Sequence, residues 1–202
     1  MRIFPHFNPS GQTNSYLITP DEGGDIIIVD PSEVDDELID LIESHHFTPK
    51  AVLLTHSHKR HTAGLGTLLK IYSVDIYAYL SQIEGFNTIQ LDDNDKLTIA
   101  GFETEVIRVP GHSLDSLVYK IGNALFTGDV LSAGRVGTTR NMLANALLIK
   151  NIREKLMVLG DNNLVFPAHG AVSKLRIERM FNHDLSESEV TLLGMRKVVA
   201  PL

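Results

Sequence analysis

Four apolar segments of the sequence are each followed, within a few residues, by a histidine or an aspartate. The segments cover residues 51–54, 102–109, 124–127 and 164–166. The motifs after them are His56-Ser57-His58-Lys59-Arg60-His61, Gly111-His112, Gly128-Asp129 and Ala168-His169-Gly170. Short apolar segments bounded by glycine or proline are typical of buried strands. Because ligands of open α/β sheets gather at the carboxyl ends of strands, we expect these motifs to converge in the folded chain.

The spacing of the first histidines has a chemical explanation. Residues two apart in an extended segment point to the same side, so His56 and His58 are placed to share one ion. His61 begins the next turn and faces a neighbouring position. Imidazole and carboxylate groups suit Zn²⁺, and a catalytic zinc site keeps about three protein ligands and one open position. The joint pattern predicts a metal site, whereas a single His-x-His pair is weak evidence.

The composition limits the kinds of site and partner that fit the chain. The 202 residues include no cysteine, so any metal must be held by histidine, aspartate or glutamate. The formal net charge of −7 argues against nucleic-acid binding, which needs a basic surface. The N-terminus has no signal-peptide pattern, and no stretch approaches the roughly 20 apolar residues of a membrane span. We therefore expect a cytoplasmic enzyme or binding protein whose partner is neither nucleic acid nor a membrane.

The hydrophobic periodicity predicts alternating strands and helices in a single domain, residues 1–202. Strands are predicted at 14–18, 26–29, 51–54, 74–79, 97–99, 102–108, 117–121, 124–127 and 164–166. Helices are predicted at 33–44, 62–70, 141–158 and 173–181. The segments 80–95 and 130–141 are predicted to be rim loops that select the substrate. The remaining histidines are predicted to be surface or capping residues: His6, His45, His46 and His183.

Taken together, the motifs resemble those of the metallo-β-lactamase superfamily, over nearly the whole chain. The family pattern is Thr-His-x-His-x-Asp-His, then Gly-His, then an Asp after a strand, and a final Gly-His or Ala-His-Gly. The matching positions are Thr55 to His61, Gly111-His112, Gly128-Asp129 and Ala168-His169-Gly170. The resemblance implies an α/β (α+β) fold, a four-layer αββα sandwich of two mixed β-sheets.

The likeness extends to small glyoxalase II-like hydrolases of this superfamily. It rests on residues 126–131, 134–137, 149–153 and 166–170. Only about 30 residues follow His169, whereas true glyoxalase II proteins carry a larger helical region that binds glutathione. This difference counts against a glutathione thioester as the substrate.

The resemblance implies a ligand set for two metal ions. The first ion would be held by His56, His58 and His112, and the second by His61, His169 and the Asp of the first motif, with Asp129 bridging them. In this chain Arg60 replaces that Asp. A guanidinium cannot deprotonate, and at about 5 Å from a dication it is repelled by roughly 7 kcal/mol at an effective dielectric constant of about 20. We therefore expect one bound ion rather than two.

Three interpretations of Arg60 stay open. In the first, one ion is held by His56, His58, His112 and Asp129, while Arg60 pairs with Asp129 or replaces the charge of the second metal. In the second, the site has decayed into a non-catalytic binding or regulatory module, in which Arg60 and Asp129 form an ion pair without metal. In the third, Arg60 points to solvent and the second site is merely weak.

For an enzyme, the resemblance implies hydrolysis of a thioester, lactone or other ester by metal-activated water. Arg60 is a candidate for stabilising the oxyanion, Asp129 for holding the ion, and His61 or His169 for proton transfer. Zinc is expected, with iron or manganese as alternatives. The alternative enzyme is persulfide dioxygenase-like and uses one iron held by two histidines and one aspartate. The oligomeric state stays open.

Overall fold

The computed structural model describes residues 1–186, and two six-stranded β-sheets form its centre. The strands are β1 (Arg2–Asn8), β2 (Thr13–Thr19), β3 (Asp25–Val29), β4 (Thr48–Leu53), β5 (Asp75–Ala78), β6 (Gln82–Ile83), β7 (Phe86–Asn87), β8 (Ile89–Gln90), β9 (Lys96–Ile99), β10 (Phe102–Arg108), β11 (Leu117–Ile121), β12 (Ala124–Gly128), β13 (Leu131–Ser132), β14 (Arg135–Val136), β15 (Leu164–Pro167) and β16 (Ser173–Lys174). The helices are α1 (Asp36–Ser44), α2 (Lys59–Thr62), α3 (Leu65–Ile71), α4 (Met142–Asn151), α5 (Leu175–Phe181) and α6 (His183–Ser186). The sheets have the orders β1-β2-β3-β4-β5-β8 and β16-β15-β12-β11-β10-β9.

Three hydrophobic clusters show how the layers stack. One cluster lies between the two sheets and contains Tyr16 of the first sheet and Phe126 of the second. Another packs the outer face of the first sheet against α1 and α3, for example through Leu38 and Leu68. The third packs the outer face of the second sheet against α4 through Leu148. The order is helix, sheet, sheet, helix, so the predicted four-layer αββα sandwich is confirmed.

Both sheets mix parallel and antiparallel pairs. In the first sheet β3, β4 and β5 are parallel, and β1, β2 and β3 are antiparallel. In the second sheet β12 and β15 are parallel, and the pairs from β9 to β12 are antiparallel. Strands buried on both faces are nearly all apolar, which explains why residues 26–29 and 51–54 stand out in the sequence.

Two of the predicted helices are interrupted or displaced in the structure. The segment predicted as one helix at 62–70 forms α2 and α3, which are separated around Gly64. The Gly64 amide donates to the Pro31 carbonyl at 2.9 Å, and a Cβ at this position would lie 2.5 Å from that oxygen. The helix predicted from residue 33 begins three residues later, because the Asp35 side chain accepts from the Leu38 amide and caps α1.

Helix α4 is shorter than the predicted span of 141–158. It ends at Asn151, and the chain continues as a π-helical segment, Ile152–Leu156. Ile152 and Leu156 are both fully buried against the second sheet. The apolar pattern therefore continues through the change in helix type, and a sequence pattern cannot separate the two.

Strand β1 and its histidine differ from the prediction. Residues 2–8 pair along their whole length with β2, from Arg2 opposite Thr19 to Asn8 opposite Thr13. The prediction that His6 is a surface residue is wrong, because it is 5% exposed and lies 3.2 Å from a carboxylate oxygen of Asp35. His45 does act as a capping residue, since its Nδ1 lies 3.0 Å from the Leu41 carbonyl at the end of α1.

The segments predicted to be rim loops contain short strands. Residues 80–95 include β6, β7 and β8, and residues 130–141 include β13 and β14. In the described part of the chain, no helix combines the length and apolar character needed to cross a membrane. The sequence leaves open whether the apolar tail at 198–202 docks on the core or on a partner chain, and this tail lies outside the described residues.

Candidate metal centre

The four motifs that follow apolar strands meet at one edge of the sandwich. His56 follows β4 of the first sheet, and the other three motifs follow β10, β12 and β15 of the second. Main-chain hydrogen bonds join these strand ends, for example from the Leu117 amide to the Thr55 carbonyl at 2.8 Å. The Ala168 amide likewise donates to the Gly128 carbonyl at 3.0 Å. The predicted convergence of the motifs is therefore present in the fold.

A first group of ligand atoms is formed by His56, His58, His112 and Asp129, all within 4.8 Å of one another. His58 Nδ1 lies 2.9 Å from His56 Nε2 and 3.1 Å from His112 Nε2. Asp129 Oδ2 lies 3.3 Å from His112 Nε2 and 3.9 Å from His56 Nε2. Four ligands at about 2.0–2.1 Å from a tetrahedral zinc would lie about 3.3–3.4 Å apart. The group thus has the donors and the dimensions of a zinc site.

A second group consists of His61, Asp129 and His169. Asp129 Oδ1 lies 3.4 Å from the Nε2 atoms of both histidines. This oxygen is buried and makes no hydrogen bond to any residue between 1 and 186. A buried carboxylate oxygen without a partner is costly, and a cation beside it would remove that cost. The two oxygens of Asp129 therefore face the two groups separately.

One histidine of each group is oriented by a hydrogen bond from its Nδ1 atom to a main-chain carbonyl. His112 Nδ1 lies 2.8 Å from the Thr138 carbonyl, and His169 Nδ1 lies 2.7 Å from the Gln12 carbonyl. Each ring donates its Nδ1–H to a carbonyl and turns a free Nε2 towards Asp129. A hydrogen bond of this kind fixes the tautomer of a metal ligand, and metal-binding histidines almost always have one. The residues present therefore fit a metal ion.

Asp30 is a functional residue that the sequence analysis missed. It is 2% exposed, and its Oδ2 lies 2.6 Å from the Thr55 hydroxyl and 2.9 Å from His61 Nδ1. Its Oδ1 accepts from the Thr55 amide at 2.8 Å. The Thr55 hydroxyl lies 3.1 Å from His56 Nδ1, so Asp30 orients His61 directly and His56 through Thr55. The signal was available, because Asp30 directly follows the apolar run 26–29.

Asp115 supports the first group in a similar way and was also missed. Its carboxylate is 6% exposed and accepts from the Ser57 amide at 2.8 Å and from the Ser113 hydroxyl. Ser57 lies between two histidines of the first group, and Ser113 follows the third. A single carboxylate therefore ties the two loops together beside their histidines.

The charges of the centre set the protonation of its histidines. Burial is the main cause that lowers the pKa of His56 to about 2, so this ring is neutral. Burial also opposes the charged form of His61, but Asp30 and Asp129 outweigh it and raise the pKa of His61 to about 10. Burial raises the pKa of Asp129, yet His61 and the other rings more than reverse this effect and hold it well below its ordinary value. Asp129 is therefore a carboxylate.

Arg60 is not part of either group. Its side chain is exposed, and within residues 1–186 it forms no ion pair and no hydrogen bond. The interpretation in which Arg60 pairs with Asp129 is therefore wrong, since the ion-pair partners of Asp129 within residues 1–186 are four imidazoles. The interpretation in which Arg60 points to solvent agrees with the structure.

Comparisons with known proteins agree with this geometry. The family model described as the metallo-beta-lactamase superfamily matches residues 8–86. A hydroxyacylglutathione hydrolase from Yersinia enterocolitica is 32% identical over 198 residues, which cover 93% of this chain and 76% of that protein. The similarity to this relative extends along nearly the whole of the present chain, so it is not confined to the histidine motifs.

Solved structures show the same fold. The BLEG-1 B3 metallo-beta-lactamase has a TM-score of 0.82 and 26% identity, covering 92% of this chain and 100% of that one. The structure of TTHA1623 in a di-iron-bound form has a TM-score of 0.76 and 24% identity, covering 89% of this chain and 98% of that one. On the strength of its sequence relatives and its fold, the chain belongs to the metallo-beta-lactamase superfamily.

Proposed function

We propose that the protein is a metal-dependent, glyoxalase II-like hydrolase that cleaves a thioester, lactone or other ester of a small molecule. The observation that carries this proposal is the four-donor group of His56, His58, His112 and Asp129, whose atoms lie within 4.8 Å of one another. The similarity to a hydroxyacylglutathione hydrolase supports a thioester among the candidate substrates. Zinc is the proposed metal because the donors are imidazole and carboxylate, with iron or manganese as alternatives.

The two groups differ in the number of metal donors that they offer. The first offers four donors, whereas the second offers three and shares Asp129 with the first. The carboxylate that the family pattern places at position 60 is replaced by an exposed arginine. We therefore propose one tightly held ion in the first group and only weak binding in the second.

The roles of the side chains follow from their positions. A divalent ion bound here supplies a Lewis acid and activates water for attack on a carbonyl group. Asp129 Oδ2 completes the first group, and its Oδ1 turns towards His61 and His169. These two histidines are placed to take up or return a proton during ester cleavage. His169 is the more accessible of the two, because its side chain is 36% exposed whereas that of His61 is 1% exposed.

The alternative of a decayed, non-catalytic module finds less support. That interpretation requires an ion pair between Arg60 and Asp129, which the described residues do not form. The outer hydrogen bonds of His56, His61, His112 and His169 are also all present. A site that no longer bound metal would not need four imidazoles whose Nε2 atoms all face Asp129.

Metal content of the purified protein tests the number of ions. We expect about one zinc or iron per chain in the wild type, and a value approaching two in Arg60→Asp, because this variant restores a carboxylate to the second group. Lys59→Asp is the matched control, since it makes the same charge change at the neighbouring exposed position and should leave the content near one. No metal in the wild type after loading with excess zinc or iron would overturn the proposal.

Activity on a substrate panel tests the reaction. We expect the metal-loaded protein to hydrolyse a member of a set of thioesters, lactones and simple esters, and His112→Ala to lose both metal and activity. Inactivity of the loaded protein on the whole set would reject the hydrolase. Iron binding with sulfur-dependent oxygen uptake would replace it with the dioxygenase-like alternative.

A further inference from the structure

A short hairpin links two parts of the metal centre. It consists of residues 130–137, which we call the site hairpin, and it contains β13 and β14. The hairpin begins directly after Asp129 and ends directly before Thr138, whose carbonyl oxygen lies 2.8 Å from His112 Nδ1. Any displacement of the site hairpin is therefore transmitted both to Asp129 and to the ring of His112.

The base of the site hairpin is closely packed. The Gly137 amide donates to the Val130 carbonyl at 3.2 Å, which closes the hairpin beside Asp129. A Cβ on Gly137 would lie 1.9 Å from the Asp129 carbonyl oxygen and 3.3 Å from the His112 Cβ. Because Gly137 packs this closely, the main chain at the hairpin base cannot shift on one side alone. A displacement of residue 137 therefore also displaces residues 129 and 130.

Two carboxylates from α5 and α6 hold the tip and the second strand of the site hairpin. Glu178 of α5 accepts a hydrogen bond from the Gly134 amide at 3.0 Å. Asp184 of α6 accepts from the Val136 amide at 2.9 Å and lies 3.4 Å from the Arg135 guanidinium. The tip of the hairpin is therefore attached to α5, and its second strand is attached to α6.

Glu178 is an unusual residue for a purely structural contact. It is 1% exposed, and in the described part of the chain it forms no ion pair. Its other partners are the Asn182 amide group at 2.7 Å and the Ser173 hydroxyl. Burying a carboxylate without a cation is costly unless several donors satisfy it, and an apolar side chain would fill the same space at lower cost. What an apolar side chain cannot do is accept the hydrogen bond from the Gly134 amide.

We propose that Glu178 and Asp184 are positioning residues for the metal centre, which act through the site hairpin on Asp129 and His112. The proposal rests on the proposed metal-dependent function. Partners outside the ligand shell commonly change metal affinity by 10- to 100-fold, because ligands must be held within about half an ångström of their places. Helices α5 and α6 thus set the affinity of a centre whose ligands they do not supply.

Zinc affinity, measured by competition with a chromophoric chelator, tests the proposal. We expect Glu178→Leu to lower the affinity about tenfold, because the Gly134 amide loses its acceptor. Glu178→Gln should stay within about threefold of the wild type, since its amide oxygen accepts from the Gly134 amide and its NH₂ group donates to Ser173. Asp184→Ala, at a less buried position, should lower the affinity in the same direction if Glu178→Leu does not fold.

Asp35→Ala is the control for lost stability. It removes the cap of α1, which packs on the first sheet whereas the site hairpin follows a strand of the second, and should lower the urea midpoint of unfolding with unchanged zinc affinity. Zinc affinity equal to the wild type in folded Glu178→Leu and Asp184→Ala would overturn the inference while leaving the proposed function intact. Absence of zinc binding in the wild type would instead overturn the proposed function. An equal loss of affinity in Asp35→Ala would show that stability alone explains the effect, and this would also overturn the inference.

Discussion

Replacing Asp30 with asparagine tests whether this buried carboxylate sets the tautomers of the neighbouring histidines. Its oxygens accept from the Thr55 amide at 2.8 Å, the Thr55 hydroxyl at 2.6 Å and His61 Nδ1 at 2.9 Å. An asparagine keeps one oxygen, which must face the Thr55 amide because that group can only donate. Its NH₂ group then faces the Thr55 hydroxyl and His61, where the wild type has an acceptor.

The NH₂ group of Asp30→Asn reverses two hydrogen bonds. When it donates to His61 Nδ1, that ring gives up its Nδ1 proton and keeps the one on Nε2, which faces Asp129. When it donates to the Thr55 hydroxyl, the hydroxyl donates to His56 Nδ1, and the proton of His56 also moves to Nε2. A metal needs both Nε2 atoms free, so binding gives up two hydrogen bonds of about 1 kcal/mol each. The resulting loss of about 2 kcal/mol corresponds to a roughly 30-fold lower metal affinity.

Two measurements check this prediction. Chelator competition gives the zinc affinity, and ¹⁵N chemical shifts of the imidazole rings in the metal-free protein report which ring nitrogens are protonated. Asp93→Asn is the control, because Asp93 also accepts a main-chain hydrogen bond but contacts no histidine. A folded Asp30→Asn protein with wild-type zinc affinity and unchanged tautomers would refute the reasoning.

Three further variants test the packing and electrostatics around the strands. Gly128→Ala should lower the free energy of unfolding by about 3 kcal/mol in a urea titration, because φ is +51° and the new Cβ would lie 2.3 Å from the Thr55 hydroxyl oxygen. An effect under about 1 kcal/mol would contradict this. Tyr16→Phe should cost about 1–2 kcal/mol in the same assay, since its buried hydroxyl donates to a carbonyl of β15 at 2.6 Å, and a neutral result would show that the acceptor is solvated. Partial burial raises the pKa of Asp93, but the Lys155 ammonium at 2.7 Å and a main-chain donor outweigh it and hold the pKa below its ordinary value. This carboxylate therefore stabilises the fold at neutral pH by about 1 kcal/mol, and the advantage of the wild type over Asp93→Asn should disappear as the pH falls through the lowered pKa. A difference that persists in strong acid would be inconsistent with this assignment.

The convergence of the ligand-type residues could be predicted because it depends on strand ends. Apolar segments such as 51–54 are visible in the sequence, and the residue after each one must lie at an edge of the sheet. The outer partners could not be predicted in the same way. Asp30 meets His61 across 31 positions of the sequence, and the Thr138 carbonyl that orients His112 belongs to the main chain, which carries no residue-specific signal.

The differences in the fold have local causes. Strand β1 was missed because only two of its residues, His6 and Asn8, are fully buried, and neither is apolar. The helix predicted at 62–70 is divided because Gly64 packs directly against the Pro31 carbonyl, a contact between segments that are distant in the sequence. The π-helical segment 152–156 keeps the same apolar pattern as the helix before it, so periodicity could not reveal it.

The change at position 60 is confined to one group of ligands. Asp129 uses Oδ2 towards the first group and Oδ1 towards the second, and Arg60 takes part in neither contact. His61 is held by Asp30, whether or not a carboxylate follows Lys59. The loss of the family's aspartate therefore removes a donor from the second group without loosening the first. A chain with Arg60 can for this reason keep a complete four-donor site. The reactivity of the proposed enzyme then depends on proton transfer by His61 and His169.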